Sequence, residues 1–250
     1  GEFLAPGVYQ IEHGETLRDL VIRVGGFSPN AYFYGSLFTR ESTRKQQQEQ
    51  LDKALSRLEQ EVERNAAVQA GTVLSVEDSS AVKQQATAQR ELVKRLRQVR
   101  ATGRIVLDAN NGGAEYGLPD LPLENGDVFS VPPRPGVVSV YGSVFNQNSF
   151  LFRERYKAAQ YISLAGGPTK NADAESLYIL KANGIVISAR QAKRGLFRKG
   201  LMGYPLMPGD AIVVPEDLHQ FSVSRELKDW AQIFYQLSLG VAGLKVLGDL

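Results

Sequence analysis

The chain has 250 residues, of which 43% are apolar and 22% charged, a composition typical of a soluble protein with one large or two ordinary domains. Its 29 basic and 27 acidic residues leave a net charge of +2, so no strong field of one sign favours binding to nucleic acid. The absence of cysteine excludes disulfides, a thiolate nucleophile and cysteine metal sites, and no run of 18 apolar residues predicts a membrane span. Because the chain begins at Gly1 with neither methionine nor a signal sequence, we expect a processed product or a fragment.

The first forty residues predict two strands, a helix and a third strand. Thr16, with Asp19 three residues later, resembles a capping box. Apolar residues follow at helical spacing, and the pair Gly25-Gly26 ends the helix in a left-handed turn. The strands are expected at Gly1–Leu4 with its return at Val8–Ile11, and around Tyr32–Thr39.

Residues 41–102 form a segment of different composition, rich in Gln, Glu, Lys, Arg and Ala and free of proline. Two apolar stripes at helical spacing predict an antiparallel helical hairpin with a coiled-coil-like seam. The stripes consist of Leu51, Leu55, Leu58 and Val62 on one arm and of Val82, Ala86, Gln89, Val93, Leu96 and Val99 on the other. The hairpin is either a solvent-exposed arm or an arm that packs on a neighbouring subunit or protein.

The stretch from Gly103 to Pro133 predicts two more strands, Ile105–Leu107 and Val128–Val131. Between them lies the loop Asp108–Asp120, whose Asx residues are typical of turns. A calcium loop is the alternative, although the later acidic ligand of such loops is missing.

The next eighty residues repeat this plan with one helix and a larger set of strands. The helix is predicted at Lys157–Ala165 and ends at Gly166-Gly167. Asn183-Gly184 between two apolar runs is a hairpin signal. The strands are predicted at Val137–Tyr141, Ser149–Phe152, Ser176–Lys181, Ile185–Ala189 and Ala211–Val214.

The two halves align as a tandem repeat. Residues 1–40 match residues 142–181 at an offset of 141, so that the two Gly-Gly pairs coincide, and Leu123–Asp127 matches Leu206–Asp210 at an offset of 83. The first copy therefore carries an insertion of 141 − 83 = 58 residues. We predict an α+β protein of two tandem β-grasp domains, residues 1–135 with the hairpin 41–102, and residues 136–217. No counterpart of Val137–Tyr141 stands ahead of Gly1, so we expect an open sheet edge in the first domain.

Residues 218–250 predict a C-terminal amphipathic helix. The segment Trp230–Leu244 is uncharged, and at 15 residues it is short for a lone membrane span of about 20 residues. We expect it to pack in a groove on protein, or to join a ring of such helices in a membrane. The residues assigned to oligomer or membrane packing are Leu227, Trp230, Phe234, Leu237 and Val241.

No catalytic, cofactor or metal site is predicted. His13 and His219 have no nucleophile or ligand pair nearby in the sequence and are interpreted as surface residues. The four glycines of the Gly-Gly pairs follow helices, so they present no helix N-terminus to a phosphate and are assigned as structural turns.

Three motifs resemble the soluble-ligand-binding β-grasp (SLBB) domains of bacterial capsule and exopolysaccharide export proteins. They are PGVYQIEHGETLRDLVIRVGG at Pro6–Gly26, VYGSV…LAGGPTKNAD across Val140–Asp173, and the closing segments ENGDVFSVP and MPGDAIVVP. The resemblance implies a periplasmic location, association with the outer membrane and partners among the export and assembly proteins. The motifs of the family's N-terminal export domain and its lipidated cysteine do not occur in these 250 residues, so we expect the chain to be either a fragment of a longer exporter or a small accessory protein.

Three functions compete at this point. The first is a non-enzymatic module of polysaccharide export that binds proteins and forms a homo-oligomer through the C-terminal helix. The second is a saccharide-binding β-grasp domain, which titration against capsule oligosaccharides would reveal. The third is a glycan-modifying enzyme, which would release a product from polysaccharide.

Overall fold

The protein has a mixed α+β fold, as the sequence predicts. The computed structural model describes residues 1–72, 76–107, 117–173, 175–189 and 200–216. Within these residues the helices are α1 (Leu17–Arg23), α2 (Glu41–Thr72), α3 (Val76–Leu96) and α4 (Ala158–Leu164). The strands are β1 (Leu37–Thr39), β2 (Arg104–Ile105), β3 (Val128–Ser130), β4 (Val137–Gly142), β5 (Asn148–Leu151), β6 (Tyr178–Leu180), β7 (Val186–Ser188) and β8 (Ala211–Val214). The C-terminal helix predicted from residue 218 onward lies outside the described residues.

The chain divides into two compact units. The first lies within Gly1–Arg40 and Ile105–Asp217, and the described residues of the second lie within Glu41–Arg104. A three-stranded sheet has the order β2-β1-β3, and a five-stranded sheet has the order β5-β4-β8-β6-β7. In the larger sheet β4 and β8 run parallel and the other pairs are antiparallel. One face of the sheet covers α4, because Ile212 and Val214 of β8 lie in the same buried cluster as Ala158, Tyr161 and Ile162 of the helix.

The two short helices of the first unit begin in the same way. The Thr16 side chain accepts a hydrogen bond from the Asp19 N–H, and the Thr16 N–H donates to the Asp19 carboxylate, so the predicted capping box is present. At the start of α4 the Lys157 N–H donates to Gln160 Oε1 at 2.9 Å. Each helix then buries one apolar stripe. The fully buried core residues of the first half include Leu17, Val21, Phe38 and Leu118. Those of the second half include Tyr161, Ile179, Ile212 and Val214.

Backbone contacts recur at the two offsets found in the sequence. The Glu2 N–H donates to Val131 O, and the Ser143 N–H donates to Val214 O, each at 2.7 Å. The strand register also recurs, because β1 pairs Leu37 with Ser130 while β6 pairs Tyr178 with Val213. Three isolated bridges of the first half have counterparts in the second half. The bridges of the first half are Phe3–Phe27, Thr16–Pro122 and Ala31–Pro133, and their counterparts, in the same order, are Val144–Pro168, Lys157–Pro205 and Ala172–Glu216. Residues far apart in sequence therefore meet in the same pattern twice.

Four predicted strands of the first half differ from the structure. Gly1–Leu4 forms only an isolated bridge, at Phe3 with Phe27. Residues 8–11 form no strand and Val8 is fully exposed, whereas β5, their counterpart, pairs with β4. Among the described residues, no strand lies beside this segment to pair with it. The strand expected around Tyr32–Thr39 begins with a 3₁₀ turn at Phe33–Gly35, and only Leu37–Thr39 is extended. The strand expected over Ile105–Leu107 is Arg104–Ile105.

The second unit contains the two helices that the apolar stripes predict. Leu51, Leu55, Leu58 and Val62 of α2 pack against Val93 and Leu96 of α3, all less than 7% exposed. Arg97 pairs with Glu59 and Arg90 with Glu63, so the helices run antiparallel. Among the helices of the described residues, none combines the length and apolarity that crossing a bilayer requires.

Candidate interaction surface

The described residues include four of the nine residues singled out from the sequence. All four glycines have positive φ: Gly25 92°, Gly26 86°, Gly166 81° and Gly167 84°. Residues with side chains rarely adopt this conformation, which explains why glycine stands there. The packing residues Leu227, Trp230, Phe234, Leu237 and Val241 lie outside the described residues.

Each Gly-Gly turn supports one exposed apolar side chain. The Leu4 N–H donates to Gly26 O and the Phe145 N–H donates to Gly167 O. Leu4 is 63% exposed and Phe145 is 74% exposed. Single exposed apolar residues are normal on protein surfaces, so these two side chains alone do not define a binding site.

A buried ion pair closes the first half. Arg40 donates to both carboxylate oxygens of Asp127, at 2.9 and 2.8 Å, and its third nitrogen lies 3.0 Å from Glu124. The hydrogen bond to Asp127 raises the pKa of Arg40. These two parallel hydrogen bonds hold Arg40, the last residue before α2, against Asp127, the residue before β3. A planar guanidinium is well suited to this bidentate geometry.

The equivalent position in the second half, Asp210, links the two halves. Its Oδ1 accepts from the Tyr34 hydroxyl at 3.1 Å and from the Ala182 N–H at 2.9 Å, and its Oδ2 accepts from the Met207 N–H. Tyr32 donates to Pro208 O at 2.8 Å beside it. These bonds connect residues 176 positions apart and tie both halves into one unit.

Burial dominates the electrostatics of this junction. It raises the pKa of Asp210, against the lowering effect of the three hydrogen bonds. It also raises the pKa of Tyr32 to about 12, and that of Tyr34 further. Lys181 lies 5.4 Å from the centre of the Tyr34 ring and supplies a nearby positive charge. Both tyrosines are therefore neutral hydrogen-bond donors at neutral pH. The role of this junction is to hold the two halves together.

The loop between β5 and α4 carries a group of exposed cations. It contains Arg153, Arg155 and Lys157 with a single acid, Glu154. The Arg153 guanidinium lies 5.0 Å from the centre of the Tyr156 ring and donates to its hydroxyl at 2.8 Å. This arrangement is a candidate site for an anionic ligand.

The remaining titratable groups suggest no reaction centre. His13 is exposed in a turn, and His219 lies outside the described residues. No group of three His, Asp or Glu side chains placed to hold a metal ion occurs in the described part of the chain. Glu15 is buried beside Arg23, which lowers the pKa of Glu15 through a hydrogen bond of 2.7 Å. Such a paired carboxylate stabilises the fold.

Sequence reasoning missed both the junction and the basic loop. The repeat alignment contained a signal for each. It places Asp127 over Asp210 and Arg40 over Lys181, which points to a recurring charged pair. It also places Glu12 over Arg153, a reversal of charge at equivalent positions. The Tyr34 contact had no local signal, because its partner lies 176 residues away.

Comparison with known proteins supports the family suggested by the motifs. The SLBB domain family matches residues 1–35 and 137–188. Two curated relatives are both described as polysialic acid transport protein KpsD of Escherichia coli. Each is 26% identical over 232 residues, which is 92% of this chain and 37% of the relative. The chain thus spans little more than a third of the length of these relatives. Residues 1–35 and 137–188 are thus similar to SLBB domains, and most of the chain is similar to a polysialic acid transport protein, which agrees with the family suggested by the motifs.

Proposed function

We propose that the chain is a non-enzymatic module of capsular polysaccharide export that acts by binding other export and assembly proteins. The observation that carries this proposal is the recurrence of the same backbone contacts in both halves, such as Glu2–Val131 and Ser143–Val214. Together with the two SLBB matches, it supports two tandem β-grasp domains, residues 1–135 and 136–217. The relatives' name supports export of a capsular polymer.

The proposal extends to location and assembly. The hairpin 41–102 is a protein-binding arm, since its exposed faces are polar and its apolar seam is internal. The amphipathic segment 218–250 is proposed to join copies of the chain, or to pack in a groove. The family resemblance supports the periplasm and the outer membrane as the place of action.

The test is capsule export in the bacterium from which the chain derives. Deleting the coding region should leave polymer synthesis intact and remove capsule from the cell surface, and the restored gene should recover it. A photoreactive residue at Lys53 or Arg57, both exposed on α2, should crosslink to an envelope protein. Normal surface capsule after deletion would refute the export role. Release of a product from polysaccharide by the pure protein would refute the non-enzymatic role.

Saccharide binding is the second candidate function. The exposed cations of the β5–α4 loop favour it, because the polymer named for the relatives carries a carboxylate on each sugar. Titration of the purified chain with acidic and neutral oligosaccharides distinguishes this function from protein binding alone.

A further inference from the structure

We propose that the loop between β5 and α4 binds carboxylate groups of an acidic polysaccharide through Arg153, Arg155 and Lys157. The inference rests on the proposed function, because it names the ligand and the site of an export module. Three cations and one acid in residues 153–157 give a local charge of 3 − 1 = +2, as large as that of the entire chain. The loop is therefore locally basic.

Comparison with the first half shows that the fold does not require these cations. The equivalent loop has Glu12, Gly14 and Thr16 at the positions of the three cations. Both loops nevertheless lead into helices of seven residues with the same backbone contacts. Since the same structure forms with acidic and neutral residues, the cations of the second loop are available for another role.

The basic loop is held in place by buried groups. The Arg153 N–H donates at 2.8 Å to the hydroxyl of Tyr161, which has no exposed surface. The Tyr156 N–H donates to Arg153 O at 2.9 Å and closes the turn. Tyr156 packs edge-on against Tyr161, with ring centres 5.6 Å apart. Arg153 therefore has little freedom to lose when it binds a ligand, which favours affinity.

No carboxylate in the described part of the chain lies within ion-pair distance of these three cations. The first half differs, because Arg18, Arg23 and Arg40 each pair with a carboxylate. All three loop cations are exposed. Adjacent cations of this kind attract anions to the surface.

The chemistry of the loop fits a carboxylated sugar polymer. A guanidinium binds a carboxylate through two parallel hydrogen bonds, and an ammonium binds it as a point charge. The half-buried Tyr156 ring offers an apolar face beside them, on which a sugar ring can pack. A polymer with a carboxylate on each unit can occupy several cations at once, so weak contacts combine into useful affinity. Weak individual contacts suit an export protein, because the polymer must also leave.

The test measures binding of an α2,8-linked sialic acid oligosaccharide to the purified chain by calorimetry at low and at physiological salt. Wild-type protein should bind it, more weakly at higher salt, and should not bind neutral dextran. Vesicles containing phosphatidylglycerol and a single-stranded oligonucleotide serve as competing polyanions. Tighter binding to either than to the saccharide would overturn the assignment of the ligand, and no binding to the saccharide would overturn the site.

The variant R153Q/R155Q/K157Q should bind the saccharide about tenfold more weakly, as expected for the loss of three exposed ion pairs of modest strength. The matched control K45Q/K53Q/R57Q removes three exposed cations from α2 and should change the affinity less than about twofold. Equal losses in both variants would show a general charge effect and refute the loop as the site.

A second variant keeps the test valid if the triple variant fails to fold. R155Q/K157Q leaves the contacts of Arg153 with Tyr156 and Tyr161 intact, and it should still lose most of the affinity that the triple variant loses. R155K should bind nearly as tightly as wild type, because it keeps the positive charge at that position. If the deletion strain exports capsule normally while the loop still binds saccharide, the proposed function fails and the site stands. If export requires the gene but the purified protein does not bind the saccharide, the site fails and the proposed function stands.

Discussion

Single glycines determine where the strands of each half can meet. Gly142 ends β4 at a φ of 89°, and a Cβ on it would overlap the carbonyl oxygen of Val214 in β8. Gly1 stands at the equivalent position, and a Cβ there would come within 2.8 Å of the Val131 backbone. The close approach allows the following N–H to donate to that carbonyl in both halves. Glycine is therefore required by contact at both positions, and at Gly142 also by conformation.

Replacing Gly142 by alanine should lower the free energy of unfolding by about 2–5 kcal/mol. The loss combines left-handed strain with displacement of β8 from the centre of its sheet. The matched control is Gly167→Ala, with a φ of 84° but nothing within 4 Å of the added Cβ. It should cost about 1–2 kcal/mol, since only the conformational strain applies. Equal losses in urea unfolding of the two variants would contradict a role for the Val214 contact.

The Tyr34 hydroxyl should stabilise the protein in a pH-dependent way. Burial places the folded pKa of Asp210 above its unfolded value near 3.9, so the stability contributed by Asp210 is fully present below pH ~4 and is lost as the pH rises through the raised pKa. Tyr34 donates to the carboxylate and opposes that loss. Tyr34→Phe should therefore cost about 1–3 kcal/mol at neutral pH and less below the pKa of Asp210.

Urea unfolding at pH 7 and at pH 4 measures this difference. Tyr9→Phe is the matched control, because its hydroxyl donates to Ala5 O at the exposed surface. The control should stay within about 0.5 kcal/mol of wild type at both pH values. A Tyr34→Phe effect of the same size at pH 7 and pH 4 would show that the hydroxyl does not act through the charge of Asp210.

At the scale of elements, local patterns predict helices better than strand pairing. The capping pair Thr16–Asp19 and the helical spacing after it place α1 within one residue of its observed start. The 4-3-4 spacing from Leu51 to Val62 identifies the seam of the hairpin, because a helix brings these residues to one face. These signals are contained within one or two turns of chain, so the sequence alone carries them.

Pairing between distant strands carries no such local signal. The parallel contact of β4 with β8 joins residues 72 positions apart, as in Ser139 with Ala211, and the sequence shows two apolar runs only. The segment Val8–Ile11 has the composition of a strand but forms none, since composition does not supply a neighbour. The sequence shows the cations of the basic loop but does not identify them as a site, because it does not show whether carboxylates lie near enough to pair with them.

The seam of α2 and α3 should stabilise the second unit by itself. Leu55→Ala removes a side chain that is 1% exposed and should cost about 2–5 kcal/mol of local stability. Amide hydrogen exchange should accelerate in α2 and α3 and stay unchanged in β4 and β8, which belong to the first unit. Val68→Ala, at a position 61% exposed on α2, is the control and should leave exchange within error. Equal acceleration in β8 would contradict separate units.

At the scale of the whole molecule, two long-range hydrogen bonds join the halves of the first unit. Tyr32 and Tyr34 join the halves of the first unit through Pro208 and Asp210, so the two SLBB segments act as one body. The two halves of this unit carry different residues in their equivalent loops. The reversed charge of the equivalent loops, Glu12 against Arg153, makes the two faces chemically distinct.

Association of whole chains is predicted through the C-terminal stripe. Trp230→Asp with Leu237→Asp places two charges on the stripe and should reduce the mass measured by light scattering, because burying an unpaired charge at an apolar contact is costly. Gln232→Asp with Ser238→Asp adds the same charge to polar positions of the segment and should leave the mass unchanged. Deleting residues 224–250 should either break an oligomer or expose a groove that binds a hydrophobic dye. An unchanged mass after deletion, without dye binding, would show that the segment does not pack against protein.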